Sequence, residues 1–372
     1  MDMITGFGGS VLGTLIPFLF VLTIVVFFHE LGHFLVARWC GVAVRTFSIG
    51  FGPEIVGFND RHGTRWRLAA IPLGGYVKFI DDMSAASTPN RDAVIAHQPG
   101  SFQGKSVGRR AAIVAAGPIA NFILAIVIFA SLFLFAGKPV SPPTVDAVQP
   151  GSAAEAAGFA EGDLIVSIDG DPIASFSDLQ RIVSGSAGTT LTIVVERAGG
   201  PVTLTATPER RETTDRFGNV HRVGMLGLQH TAEEVTIQTF SPPGAVAEAV
   251  KETTFIVTRT LDYLWGVIVG RESADQLGGP IRVAQVSGQV ATLGIAPLIN
   301  LAAILSVSIG LLNLFPIPLL DGGHLVFYAI EAIRGRPLSE RAQDYGFRVG
   351  FAIVLALMVF ATWNDLMQLA SG

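Results

Sequence analysis

Four long runs of apolar residues punctuate this chain, and the segment between the second and third has a different pattern. The runs cover about 11–36, 111–136, 295–315 and 349–369. Each is long enough, at about 1.5 Å per residue, to cross a hydrocarbon layer of about 30 Å. Between them, residues 143–208 alternate apolar and polar positions in short bursts. "TVDAV", "DLIVSIDG", "TLTIVVERA" and "VTLTAT" predict strands, and "GSAAEAAG" and "SFSDLQRIVSG" predict short helices. Further on, "AVAEAVKETTFIVTRTLDYLWGVIVG" has apolar residues at helical spacing, interrupted by Lys251, Arg259 and Asp262. It predicts an amphipathic helix on the outer membrane surface rather than a fifth span.

Composition supports the membrane reading: 50% of the 372 residues are hydrophobic and 15% are charged. A net charge of −5 gives no basic patch for nucleic acid. The single cysteine, Cys40, excludes an intrachain disulfide. The first thirteen residues, "MDMITGFGGSVLG", hold no Lys or Arg, so they lack the charged start of a signal peptide, and the first span is expected to stay in the mature protein. Residues 38–110 carry ten Lys and Arg, and 334–348 carry four. Long domains cross regardless of charge, so these short basic flanks set orientation. They predict both basic loops on the cytoplasmic side, with both termini and the middle domain outside.

Within the first run, "FFHELGHFLVARWCG" carries ionisable groups where they are expensive. His29 and His33 lie about 40° apart on one helix face, and Glu30 about 100° round from His29. Two histidines and a glutamate spaced H-E-x-x-H suit two zinc ligands and a general base. Neutral imidazoles bind Zn²⁺, and a carboxylate beside them can take a proton from attacking water. The chain has seven His, so this composition predicts only about 0.005 such matches by chance. Two core histidines beside a buried, unpaired acid would be a costly arrangement in hydrocarbon.

Catalytic zinc takes a third protein ligand and keeps one position open. "NLFPIPLLDGGHL" ends the third run, and Pro316 and Pro318 prevent a regular helix there. Asn313 and Asp321 therefore fall on irregular backbone, tolerated at membrane depth where it is buried in protein or lines a wet cavity. Asp321 can supply the ligand, His324 competes, and spacing does not separate them. The plain alternative for Asp321 is a helix N-cap.

"HELGHFLVARWCGV", "IPLGGYVKFID", "AGPIANF", "GGPI" and "NLFPIPLLDGGHL" together resemble the site-2 protease family of intramembrane zinc metalloproteases. The likeness is to the bacterial regulator of sigma-E protease branch, and it runs through nearly the whole chain. It implies a polytopic α-helical membrane protein of about four spans with a re-entrant β-hairpin at 44–80. A PDZ-like α/β domain is expected at 138–210, carried by "PGSAAEAAGFAEGDLIVSIDGDPI", with a peptide groove between strand 144–148 and helix 176–183. A connector at 211–292 and a C-terminal membrane part at 293–372 follow.

The resemblance also implies that His29, His33 and Asp321 bind one zinc, which favours Asp321 over His324, with Glu30 as base. Asn313, Asn121, Gly117, Gly74 and Gly75 become candidate substrate contacts. The hairpin edge would hold the substrate extended, since a helical peptide bond must be unwound before it is cut. Expected substrates are single-span membrane proteins, such as anti-sigma factors and remnant signal peptides, with peptide ends captured by the PDZ-like domain. The location implied is a bacterial inner membrane, with the active site toward the cytoplasm. Residues 209–240 are too short for a second PDZ domain. A non-catalytic PDZ scaffold and a zinc transporter are the rival classes, and Glu30 argues against the scaffold.

Overall fold

The computed structural model describes residues 2–81, 99–214, 220–230, 236–271, 274 and 277–371, with side chains described for 12–81, 99–212, 223–230, 236–271, 274 and 277–367. Long apolar sequence gives helix α1 (Asp2–Trp39) and, after a β-sheet, helix α2 (Val107–Phe135). Near the C-terminus come α7 (Ile295–Asn313), α8 (Asp321–Arg334) and α9 (Glu340–Ser371). Leu12–Trp39, Val107–Phe135, Ile295–Asn313 and Glu340–Met367 are long and apolar enough to cross a membrane. These agree with the four runs read from sequence. Helix α9 leaves Phe351, Leu357, Phe360 and Trp363 exposed, as a lipid-facing helix does.

Among the described residues the chain divides into two compact units. The first comprises Met1–Ala130, Val246–Thr260 and Leu277–Met367. It contains β1 (Val44–Asn59) and β2 (Arg65–Phe79), which pair antiparallel but not as a plain hairpin. Phe47 faces both Trp66 and Val77, Ser48 both Arg67 and Tyr76, and Ile49 both Leu68 and Gly75. The first half of β1 is therefore flanked on both sides by the two halves of β2. The second half of β1 pairs outward, Phe58 with Trp66. The expected hairpin is thus a curled sheet of four short segments, with the end of β2 at one edge. Turns at Gly50 and Gly74, with φ of 85° and 139°, permit the folding back. Side chains on its inner face join α1 and α2 in one core that includes Phe34, Phe47, Val77 and Ile113.

The second unit spans Ser131–Ala245, Leu261–Gln276 and Gln368–Gly372. Its strands are β3 (Lys138–Val140), β4 (Ala147–Val148), β5 (Leu164–Ile168), β6 (Asp171–Pro172), β7 (Leu191–Arg197) and β8 (Gly200–Ala206). Helix α3 (Ala153–Ala157) and helix α4 (Phe176–Ser184) start at N-caps Ser152 and Ser175, each accepting from a backbone N–H three residues on. Strands β6-β5-β7-β8 form one sheet, over a core including Ile165, Ile193, Val195 and Leu179. Asp163 is fully buried there and accepts from Arg197 Nε at 2.7 Å, Arg197 Nη2 at 2.8 Å and Ala160 N at 2.9 Å.

Two expectations about this unit need correcting. Residues after 210 contribute β9 (Glu209–Thr214), β10 (Val220–Met225), β11 (Leu228–Gln229) and β12 (Thr236–Gln238). Strand β11 pairs with β4, and β12 with β3, so a boundary at 210 falls inside the fold. The groove expected beside 144–148 is closed on both edges. Val145 N donates to Asp163 O on one side, and Leu228 pairs with Val148 on the other. His230, just past β11, stacks on Phe176 of α4 with ring centres 4.4 Å apart. The segments beside α4 therefore come from β10, where a Cβ on Gly224 would strike Val183 O, and from His230 just past the two-residue strand β11.

The stretch expected as one amphipathic helix is α5 (Pro242–Ile268), and a second helix, α6 (Pro280–Ala291), follows it. Asp365 of α9 caps α6, its carboxylate accepting from Gly279, Ile281 and Arg282 N–H at 2.8, 3.1 and 3.1 Å.

Candidate metal centre

The two histidines sit on the same face of α1, as their spacing demands, and α2 packs directly behind them. Gly32, inside the H-E-x-x-H motif, makes this possible, because a Cβ there would collide with Ala116 O. Gly117 does the same from the other side: a Cβ would run into the His33 ring at Nε2. The family resemblance implies a substrate contact for Gly117. The structure sets it against the Nε2 end of the His33 ring, where its missing side chain makes room for the imidazole.

Each imidazole is held from behind through Nδ1. His33 Nδ1 lies 2.9 Å from Ile113 O, so it carries the proton and leaves the Nε2 lone pair free. His29 Nδ1 lies 3.3 Å from the Asn121 amide. Asn121 is fully buried, its Oδ1 has no hydrogen bond, and its backbone oxygen accepts from Ser306 Oγ at 2.8 Å. Turning that amide over would present Oδ1 to His29 Nδ1–H and fix the same tautomer. Asn121 therefore supports His29 and offers no surface to a substrate. Ser306 and Gly310 carry this support on α7; they are small residues four apart, a spacing that favours close helix packing and could have flagged them.

Asp321 completes the corner. It opens α8 without capping it: the N-cap is Leu320, and no side-chain cap bond forms. Gly322 and Gly323 follow, and a Cβ on either would strike the carbonyls of Leu314, Phe315 or Ile317. They let α8 start tight beneath the irregular 314–320 segment, where Leu319 sits at φ 122°, a strained value for a residue with a side chain. Asp321 Oδ2 lies 3.2 Å from His29 Nε2 and 3.5 Å from His33 Nε2, and the two Nε2 atoms are 3.3 Å apart.

This triangle can be tested as a zinc site. Ligands about 2.0–2.1 Å from a tetrahedral ion lie about 3.3–3.4 Å from one another. The three observed edges of 3.2, 3.3 and 3.5 Å match that spacing. Asp321 Oδ2 is buried and makes no hydrogen bond. With the Asn121 amide turned over, both imidazoles present bare Nε2 lone pairs, and a carboxylate oxygen facing them is repulsive unless a cation lies between. Among the described residues, His29, His33 and Asp321 are the group able to hold a metal. His324 is elsewhere, its ring 5.4 Å from Phe347 and 6.4 Å from Phe327.

Glu30 points off the same helix toward β2, where the Val77 backbone bonds its carboxylate. Gly75 brings that strand in close: a Cβ there would lie 3.0 Å from both Glu30 Cγ and Val26 Cγ1. At Gly74 a Cβ would meet the Phe51 ring. The edge of β2 thus runs past the acid with almost no side chain in the way. Asn313 is not part of this cluster by any bond it makes; its Nδ2 donates to Ile309 O, one turn back in α7, at 3.0 Å.

Comparison with known proteins adds to this geometry. A model of "Peptidase family M50" matches residues 17–357. The chain is 52% identical over 375 residues to "Putative zinc metalloprotease Atu1380" of Agrobacterium fabrum, covering 99% of this chain and 100% of that one. It is 42% identical over 378 residues to "Metalloprotease MmpA" of Caulobacter vibrioides, covering 95% of each. To "Regulator of sigma-E protease RseP" of Escherichia coli it is 32% identical over 459 residues, covering 97% of this chain and 100% of that one.

Proposed function

Because the chain belongs to peptidase family M50 and is a multi-pass membrane zinc metalloprotease, we propose that it cuts single-span proteins within the membrane using one zinc ion held by His29, His33 and Asp321. When bound, zinc supplies Lewis-acid polarisation and makes a water molecule easier to deprotonate. The observation that carries this reading is the triangle of donor atoms with one unsatisfied carboxylate oxygen, beside a glutamate on the same helix.

Glu30 is the base in this scheme. Its carboxylate takes a proton from the attacking water and returns it to the amide nitrogen that leaves. His33 keeps its proton on Nδ1 throughout, because Ile113 O accepts it. The substrate lies extended along the edge of β2 at Gly74 and Gly75, which supplies backbone partners for an unwound helix. Asn313 serves the substrate at the end of α7. Anti-sigma factors and remnant signal peptides are the substrate classes favoured, the first in keeping with the name of the Escherichia coli relative. The basic flanks orient the protein in an inner membrane with both termini and the PDZ-like unit outside.

The test compares the full chain with Glu30→Gln on a truncated single-span anti-sigma factor in detergent, with bound zinc measured in parallel. The variant should keep its zinc and lose about 10²–10⁴-fold in rate. Equal rates in both proteins would remove Glu30 from the reaction.

A further inference from the structure

Near the start of α2, Arg110 Nη2 donates to Glu331 Oε1 at 2.6 Å, and only 11% and 12% of the two side chains are exposed. The same guanidinium donates from Nε to Lys105 O at 3.2 Å and lies 5.0 Å from the centre of the Tyr328 ring. Glu331 and Tyr328 both belong to α8, the helix that Asp321 opens. The pair joins positions 221 apart in the chain.

Its place in the fold gives it a use. Helix α2 already backs two of the three donors, through Ile113 O at His33 and Asn121 at His29. Arg110 lies less than one turn before Ile113, so it grips α8 at nearly the level where α2 grips His33. From Glu331 to Asp321 is about 15 Å of continuous helix, stiff enough to carry position from one end to the other. The loop leading into Asp321 is irregular and strained at Leu319, and does not define the start of α8 by regular structure. A buried ion pair adds little net stability, yet its two partners tolerate only a narrow geometry, because removing either one strands a charge.

We infer that Arg110 and Glu331 are positioning residues for the zinc site: their pair sets α8 against α2 so that Asp321 meets His29 and His33. This rests on the zinc reading above and goes beyond it, since neither residue is a donor. It also makes a claim that a purely structural lock would not satisfy. Weakening the pair should loosen zinc more than it loosens the fold.

The experiment uses the full chain purified in detergent and loaded with zinc, with Glu331→Gln and the milder Arg110→Lys beside the parent. Zinc loss to a chromogenic chelator is followed in time, and thermal midpoints are taken for zinc-loaded and zinc-stripped forms. Both variants should release zinc roughly tenfold or more faster, within the range that outer partners of metal ligands command. The rise in midpoint on adding zinc should shrink, while the stripped forms stay close to the parent. If Glu331→Gln does not fold, Arg110→Lys alone carries the test. Zinc release at the parental rate, with both midpoints lowered by the same amount, would overturn the inference and leave the pair as a lock. A parent that holds no zinc would instead fail the reading beneath it, and is told apart because no variant is needed to see it.

Discussion

Asp163 and Asp321 are both carboxylates withdrawn from water, and the fold treats them in opposite ways. Asp163, fully buried in the second unit, has both oxygens occupied, by Arg197 and by the Ala160 N–H. Asp321, in the first unit, keeps one buried oxygen without a hydrogen bond, turned toward two imidazole nitrogens. A satisfied buried acid holds a structure together. An unsatisfied one, with its neighbours steered to face it, is held ready for something that is not protein. The contrast separates a structural carboxylate from a functional one without appeal to motif.

The comparison breaks most readily at Asp321. Asp321→Asn keeps the shape and removes the charge, so zinc retention and proteolysis should fall by more than the ten- to hundredfold that an outer partner costs. Metal analysis after dialysis checks it, and full zinc content with full activity would return Asp321 to a structural role. Gly117→Ala comes next. The new methyl must displace the His33 ring, so zinc should be lost about tenfold faster with little change in helix content by circular dichroism. Unaltered release would mean that α2 can retreat from the ring.

Asp163→Asn should leave zinc and catalysis alone and lower stability by about 1–3 kcal/mol, the cost of losing hydrogen bonds to a charged group. Urea unfolding read from the second unit would show it. The smallest effect is the pH dependence of that same contact. Hydrogen bonds from Arg197 hold the Asp163 carboxyl below the usual carboxylate range, against the opposing pull of burial. A depressed folded pKa gives stability that is complete above the unfolded value of about 3.9 and fades as pH falls through the folded one. Unfolding of the second unit should thus ease below about pH 4 in the parent, and this part of the slope should vanish in Asp163→Asn.

Much of this was legible in sequence because it is local. Two histidines and a glutamate spaced on one helix, four apolar runs of bilayer length, and strands that alternate all leave an imprint within a few residues. Pro316 and Pro318 mark the broken backbone around Asp321, but only the family resemblance favours it over His324. What stayed hidden depends on pairing across distance. Strand β1 is flanked twice by β2 because the chain bends at Gly50 and Gly74, and alternation says nothing about how often a strand is used. Two-residue strand β11 is too short to carry a period, yet it closes the expected groove. Asn121 and Gly117 stand as candidate substrate contacts through the family resemblance alone. The coordinates show Asn121 behind His29 and Gly117 against the His33 ring at Nε2.

The packing of α9 has a consequence for how the molecule is made. A Cβ on Gly350 would coincide with the Pro318 carbonyl, so the last span presses directly on the loop that delivers Asp321. The chain emerges N-terminus first, bringing His29, Glu30 and His33 into the membrane nearly three hundred residues before Asp321, and α9 after both. Until that final helix threads in, the loop lacks its contact at Gly350. The corner that Asp321 joins is thus the last part of the molecule to be packed into place, by the helix that is made last.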